Sequence, residues 1–74
     1  MIEEIISYEG RQILLEGHGS ERPILIYVYD ITDGKERHVK TNLRDDLALY
    51  IKKIREARGD PHLPVQFPSP WDLV

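Results

Sequence analysis

The stretch Ile24-Leu25-Ile26-Tyr27-Val28-Tyr29-Asp30-Ile31 is the longest apolar run of the chain and is rich in β-branched and aromatic residues, which predicts a central β-strand. Successive side chains of a strand point to opposite faces. One face therefore carries Ile24, Ile26 and Val28, and the other carries Leu25, Tyr27, Tyr29 and Ile31. Both faces are apolar, so we expect each of them to be covered by another part of the protein or by a partner.

Shorter strand-like runs lie on both sides of this stretch. Residues 3–8 and 11–16 are joined by Glu9-Gly10, a two-residue loop with glycine second, which predicts a hairpin. Their consecutive apolar residues, such as Ile5-Ile6, are typical of strands that are covered on both faces. After the central strand, Asp33-Gly34 predicts a second hairpin, which leads to a short polar strand over residues 36–41 at the edge of the sheet.

Residues 41–59 carry the signals of one helix. Thr41 or Asn42 can cap its N-terminus, and Asp45 and Asp46 are expected in its first turn, where the helix dipole favours acidic groups. Gly59 predicts its end. Apolar residues recur at helical spacing and form one stripe: Leu43, Leu47, Tyr50, Ile51 and Ile54. We expect this stripe to cover the aliphatic face of the central strand.

The C-terminal segment differs in composition from the rest of the chain. Four of the five prolines fall in residues 61–74, so we expect an extended conformation there. The segment also holds the only phenylalanine, Phe67, and the only tryptophan, Trp71, whereas disordered tails are poor in aromatic residues. We therefore expect it to dock on the domain formed by residues 1–60 or on a dimer mate.

Together these elements predict an α+β fold. It consists of a four-stranded antiparallel β-meander followed by one C-terminal α-helix and an extended, proline-rich, apolar tail. A chain of 74 residues is expected to form a single domain.

Several chemistries are disfavoured by the residue types and their spacing. The chain has no cysteine, which removes disulfides, thiolate metal sites and cysteine nucleophiles. The separations of His18, His38 and His62 match no zinc-ligand pattern. The glycine-rich residues 17–20 lead into Pro23 and a strand, whereas a phosphate-binding loop leads into a helix N-terminus. We therefore expect no enzyme activity, no metal and no cofactor.

The sequence also bears on where the protein acts. The N-terminal residues show no basic region followed by an apolar segment, so no signal peptide is indicated. No apolar run approaches the roughly 20 residues that a membrane-spanning helix needs. We therefore expect a cytoplasmic protein with no membrane partner.

Charge is unevenly distributed along the chain. The net charge is −3, but residues 1–34 carry seven acidic and two basic residues, while residues 35–58 carry eight basic and four acidic residues. The simpler interpretation is a pair of oppositely charged layers that attract each other. The alternative is a basic face that binds an anionic partner.

The leading functional hypothesis follows from the second apolar face of the central strand. One helix cannot cover both faces of a sheet, so the face with the tyrosines must meet the tail, a second copy of the protein or another partner. Tyrosine and tryptophan suit interfaces, because they combine a rigid apolar body with a polar tip. We therefore expect a small non-enzymatic protein–protein interaction module, a homodimer, with Tyr27, Tyr29, Phe67 and Trp71 at its interaction surface.

The alternative hypothesis is a single-stranded nucleic-acid-binding protein. Tyr27 and Tyr29 would stack on bases, and four basic side chains would contact phosphates: Arg37, Lys40, Lys52 and Arg55. The predicted order of four strands and one helix resembles that of single-stranded-DNA-binding coactivators. This resemblance in element order implies a single-stranded nucleic acid as the partner.

Overall fold

A computed structural model describes residues 2–19, 24–60 and 62–68, and this part of the chain forms a four-stranded mixed sheet and one helix. The α+β class is therefore confirmed. In chain order the elements are β1 (Ile2–Tyr8), β2 (Arg11–His18), β3 (Leu25–Asp30), α1 (Thr41–Arg58) and β4 (Val65–Gln66). The expected docking of Trp71 falls outside the described residues.

The first three strands form the predicted antiparallel meander. Tyr8 pairs with Arg11 across the loop that joins β1 and β2. Glu9 and Gly10 both have positive φ angles, 48° and 75°, as the two central residues of a type I′ turn require. This geometry matches the right-handed twist of the two strands and confirms the first predicted hairpin. β2 in turn pairs antiparallel with β3, with Leu15 opposite Val28.

The predicted fourth strand over residues 36–41 is wrong. That segment makes one isolated bridge, between Arg37 and Asp30. The fourth strand is instead β4, which runs parallel to β3, so the sheet is not an all-antiparallel meander. Residues 36–41 are mostly polar, whereas Val65 and its neighbours add apolar surface to the core. Burial of those side chains favours β4 at the edge of β3.

The hydrophobic core lies between α1 and one face of the sheet. Its buried members come from the three long strands, from the segment before α1 and from the helix: Ile6, Ile13, Leu15, Ile26, Val28, Val39, Leu47 and Ile51. The helix stripe thus covers Ile26 and Val28 as expected. Ile24 was expected on the same face, but it precedes β3 and is 68% exposed. Each fully buried aliphatic side chain contributes about 1.5–3 kcal/mol to stability.

The structure contradicts the expectations for the N-terminus of α1 and confirms the expectation for its C-terminus. The N-cap residue is Lys40, which makes no side-chain cap hydrogen bond, so the predicted caps at Thr41 or Asn42 are wrong. The helix starts early enough that no acidic residue falls in its first turn, which corrects the expectation for Asp45 and Asp46. The predicted C-terminal end is confirmed, because Gly59 adopts the left-handed conformation with φ 75°.

Candidate functional site

The sheet face that points away from α1 carries a second set of apolar side chains, which we call the open face. Side chains alternate along each strand, so the residues that flank the core positions point to this side. Strand pairing aligns them in one row across the sheet, with Ile5 opposite Leu14 and Leu14 opposite Tyr29. The apolar members of the open face are Ile5, Leu14, Leu25, Tyr27 and Tyr29.

Exposure varies strongly along this row. Leu14, in the middle, is only 7% exposed, whereas Ile5 on β1 is 58% exposed. Tyr27 and Tyr29 are half-buried, and their rings lie nearly parallel with centroids 6.5 Å apart. The open face therefore has a buried centre, a pair of stacked tyrosines on one side and an exposed isoleucine on the other.

Polar groups border the open face near the start of β3. The imidazole of His18 meets the ring of Tyr27 edge-on, with centroids 4.4 Å apart. Nε2 of His18 also lies within hydrogen-bond distance of Oε1 of Glu16. Gln66 pairs with Tyr27 from the neighbouring strand β4. Aromatic side chains with polar groups beside them are common at protein–protein interfaces.

The structure brings together two of the four residues expected at the interaction surface. Tyr27 and Tyr29 share the open face, but Phe67 packs against the core cluster on the side of α1. The guanidinium carbon of Arg44 lies 5.9 Å from the centre of the Phe67 ring, which is a cation–π distance. Trp71 lies outside the described residues. Of the three described residues in this set, the open face therefore holds Tyr27 and Tyr29 but not Phe67.

The basic residues of the nucleic-acid hypothesis do not join the tyrosines on one surface. Arg37 forms an ion pair with Asp33 in the loop before the helix. Lys40 occupies the N-cap position of α1, and Lys52 lies about 18 Å further along the helix axis. Arg55 is also on α1, which covers the face opposite Tyr27 and Tyr29. A single strand of nucleic acid would have to wrap around the sheet edge to reach both sets.

A polar cavity of about 520 Å³ lies at the end of β3, where the loop 31–40 passes over the start of β2. Its lining comprises Arg11, Asp30, Thr32, Asp33, Glu36, Arg37, His38 and Lys40. The three acidic and three basic groups largely pair with one another, as Arg11 does with Asp30 at 3.0 Å. This internal pairing gives the cavity no preference for a free ion of either sign.

Asp30 is the charged side chain buried at this cavity. Burial acts to raise its pKa, but the Thr32 hydroxyl and amide and the Arg11 guanidinium outweigh burial, so the pKa lies below the ordinary value of 3.8. The neighbouring Asp33 also has a lowered pKa, because the Arg37 guanidinium and the Lys35 amide donate hydrogen bonds to it. Both carboxylates are held in the charged form, which suits structural ion pairs.

A second cavity, of about 400 Å³, separates α1 from residues 62–65. It is mainly apolar, with Ile51, Leu63 and Val65 among its lining, and Lys52, Arg55 and His62 also line it. Arg55 reaches Glu4 at 3.4 Å and Asp60 at 3.5 Å. Its Nε is buried without a hydrogen-bond partner among the residues that the structure describes. Arg55 therefore ties α1 to β1.

The histidines and acidic groups are spread over the molecule. His38 lines the polar cavity and His62 lies 3.5 Å from a carboxylate oxygen of Glu56. Within residues 2–19, 24–60 and 62–68, no three such side chains converge as potential metal ligands. In the same ranges, no helix combines the length and the apolar character that crossing a membrane needs.

Ile5 is the residue of this surface that sequence reasoning missed. The consecutive pair Ile5-Ile6 was interpreted as part of a strand covered on both faces, but Ile6 is buried against α1 while Ile5 is exposed. No signal in the sequence shows this exposure, because it depends on β1 lying at one end of the sheet, where β2 is its one partner among the described strands. No family model matches the chain, and neither a curated protein nor a solved structure matches it.

Proposed function

We propose that this chain is a small, non-enzymatic protein–protein interaction module that forms a homodimer and uses the open face as its contact surface. The observation that carries the proposal is the row formed by Ile5, Leu14 and Tyr29, with Ile5 more than half exposed on the sheet face opposite α1. Contact with another protein would remove apolar surface from water, which contributes about 25 cal/mol per Å².

The size of the domain supports this function. A chain of 74 residues buries only about 60% of the surface that its unfolded form exposes. Its one described helix covers one face of the sheet, and the second face keeps half-exposed leucine and tyrosine side chains. A partner that buries part of this second face adds stability that the small core alone does not supply.

A second copy is the partner that we propose. Symmetric dimers are the most common oligomers, and their contacts place the same patch of both chains together. Such a patch must be complementary to itself. The centre of the open face is uncharged, so two copies approach without placing like charges opposite each other there, and the exposed Ile5 supplies apolar contact area.

The mass in solution tests this proposal. Light scattering or sedimentation at micromolar concentration is expected to give about twice the chain mass of 8.7 kDa. Ile5→Lys is expected to raise the dissociation constant by tenfold or more, because a charge replaces an apolar group in the contact.

Leu49→Lys is the matched control. Leu49 is 52% exposed on α1, close to the exposure of Ile5, but it lies outside the open face. The control is expected to dimerise as the wild type does, and circular dichroism would show that both variants are folded. A single-chain mass at all concentrations would refute the proposal, as would an equal loss of dimer in the two variants.

A further inference from the structure

We infer that the second copy joins along the outer edge of β1, antiparallel and centred on Ile5, so that the two four-stranded sheets become one. This inference rests on the proposed homodimer and narrows its contact to the β1 end of the open face, where Ile5 lies; Tyr27 and Tyr29 on β3 stay outside the contact between the two copies. It is based on the backbone groups of β1 that face away from β2.

Among residues 2–19, 24–60 and 62–68, the outer edge of β1 is the long edge of the sheet that pairs with no other strand. β1 lies at one end of the strand order and pairs only with β2 among the strands of the described residues. On the other side of the meander, the outer backbone groups of β3 already make hydrogen bonds. The amide of Ile26 donates to the carbonyl of Pro64 at 2.8 Å, and Asp30 and Arg37 exchange backbone hydrogen bonds of 2.9 and 3.0 Å.

The hydrogen bonds of Gln12 show which groups of β1 face outward. The carbonyl of Gln12 accepts from the amide of Ile31 at 2.9 Å, and its amide donates to Oγ1 of Thr32 at 3.2 Å. Both backbone groups of Gln12 thus point away from β1, so its pairing partner Ser7 cannot bond to it. In an antiparallel pair this pattern alternates. The amides and carbonyls of Glu3, Ile5 and Ser7 therefore point to the outer edge.

The carbonyl of Ser7 supports this assignment independently. It lies 3.5 Å from the hydroxyl of Tyr50, at the long limit of a hydrogen bond. A carbonyl bonded within the β1–β2 pair would have a backbone amide as its partner. Its weak contact with a side chain is consistent with a group at the free edge that can still accept a stronger bond.

The register follows from symmetry, overlap and charge. Two copies of one strand related by a two-fold axis can pair only antiparallel. Centring the axis on Ile5 pairs the whole of Ile2–Tyr8 and aligns outward groups with outward groups, with Glu3 opposite Ser7 of the mate. This register allows about six backbone hydrogen bonds. Moving the axis to Glu4 shortens the overlap and places two Glu4 residues opposite each other.

The acidic residues of β1 do not prevent this pairing. Charged side chains often protect edge strands from association. Here Glu4 is bound by Arg55 and Arg58 of its own chain, on the side of α1. In the proposed register, Glu3 faces an uncharged serine. The two exposed Ile5 side chains meet at the axis on the open face, where each covers the other.

Amide hydrogen exchange tests the inference directly. In the wild-type protein, the outward amides of Ile5 and Ser7 are expected to exchange at least tenfold more slowly at a concentration where the dimer forms than after dilution to monomer. The inward amide of Ile6 is already bonded to β2 and serves as the internal control. Equal exchange of the outward amides at both concentrations, in a protein that does dimerise, would overturn the inference.

Two variants separate the edge from the face. Ile5→Pro removes an outward amide that has no partner within the chain, and proline is tolerated at such positions of edge strands, so the variant is expected to be monomeric. Tyr27→Lys changes the open face two strands away from this edge, so edge pairing predicts that it weakens the dimer far less than Ile5→Pro does. Should Tyr27→Lys dissociate the dimer while folded Ile5→Pro keeps it, the inference fails and the proposed function stands. A wild type that is monomeric throughout refutes both.

Discussion

Asp30 shows how one residue joins several parts of the molecule. It is the buried charged residue among the described positions and lies at the end of β3. Its carboxylate accepts hydrogen bonds from Arg11 of β2 and from the amide and hydroxyl of Thr32. Its backbone pairs with Arg37. A buried carboxylate is stable only when such donors replace water, so the surrounding loop depends on this side chain.

We predict that Asp30→Asn lowers the free energy of unfolding by about 1–2 kcal/mol at pH 7. The variant keeps the shape of the side chain but loses the charged bond with Arg11, whose partial exposure to solvent limits the loss. Urea denaturation followed by circular dichroism would measure it. Asp33→Asn is the control, because its pair with Arg37 is exposed, and it should change little.

The pH dependence of the stability of the wild type and of Asp30→Asn provides a second test of the role of Asp30. Because the pKa of Asp30 is lowered in the folded state, its charge stabilises the protein above about pH 3.8, and this contribution is lost as the pH falls through the folded pKa. The difference in the free energy of unfolding between the wild type and Asp30→Asn should therefore be smaller at pH 3 than at pH 7. A difference that stays constant or increases would show that the carboxylate charge is not the cause.

At the scale of elements, the N-terminus of α1 is less well stabilised than its C-terminus. Lys40 is in the N-cap position with extended backbone angles, φ −58° and ψ 139°, and its side chain accepts no hydrogen bond from the amides of the first turn. Lysine also carries a positive charge at the positive end of the helix dipole. The first amides of the helix therefore have no side-chain acceptor at the N-cap, and the lysine charge opposes the helix dipole.

We predict that Lys40→Asp raises the free energy of unfolding by about 0.5–2 kcal/mol, because aspartate accepts a hydrogen bond from the first turn and suits the dipole. Thermal unfolding would measure the change. Thr41→Ala is the control and should have little effect, since Thr41 is the first helical residue and not the cap. A larger loss in Thr41→Ala than any gain in Lys40→Asp would favour the cap that the sequence suggested.

The elements that the sequence predicted correctly are those determined by neighbouring residues. Glu9-Gly10 forms its turn, and Gly59 ends the helix, because both depend on local backbone angles. The fourth strand depended on a competition between distant segments. Gly34 does adopt a positive φ of 83°, yet only Arg37 returns to β3, because Val65–Gln66 pairs with β3 further along and α1 begins at Thr41. Local signals do not rank such alternatives.

The open face was predictable in its centre but not at its border. The alternation in β3 places Tyr27 and Tyr29 together, which the sequence shows directly. The assignment of Phe67 was not predictable, because it depends on which edge the C-terminal segment joins and on which of its faces meets α1. The exposure of Ile5 likewise depends on β1 being an end strand, a property of the whole sheet.

At the scale of the whole molecule, residues 62–68 of the C-terminal segment complete the sheet and the core. Leu63, Val65 and Phe67 pack against the core cluster, and the backbone of Val65–Gln66 pairs with β3. These contacts connect residues that lie about forty positions apart in the chain, from Ile26 to Val65. The stability of β3 and that of the C-terminal segment should therefore be coupled in one cooperative transition.

We predict that Phe67→Ala lowers the free energy of unfolding by about 2–3 kcal/mol, less than the cost at a fully buried site, because Phe67 is half-buried. The loss should appear as a lower urea midpoint with an unchanged slope, since the same cooperative unit unfolds. Gln66→Ala is the control: Gln66 is exposed and adjacent in sequence, so its effect should stay within about 0.5 kcal/mol.

If the two variants behave alike, the segment adds little to the core. If Phe67→Ala instead produces a separate early transition, the segment unfolds on its own, and β4 is an attachment to the sheet and not part of its cooperative unit.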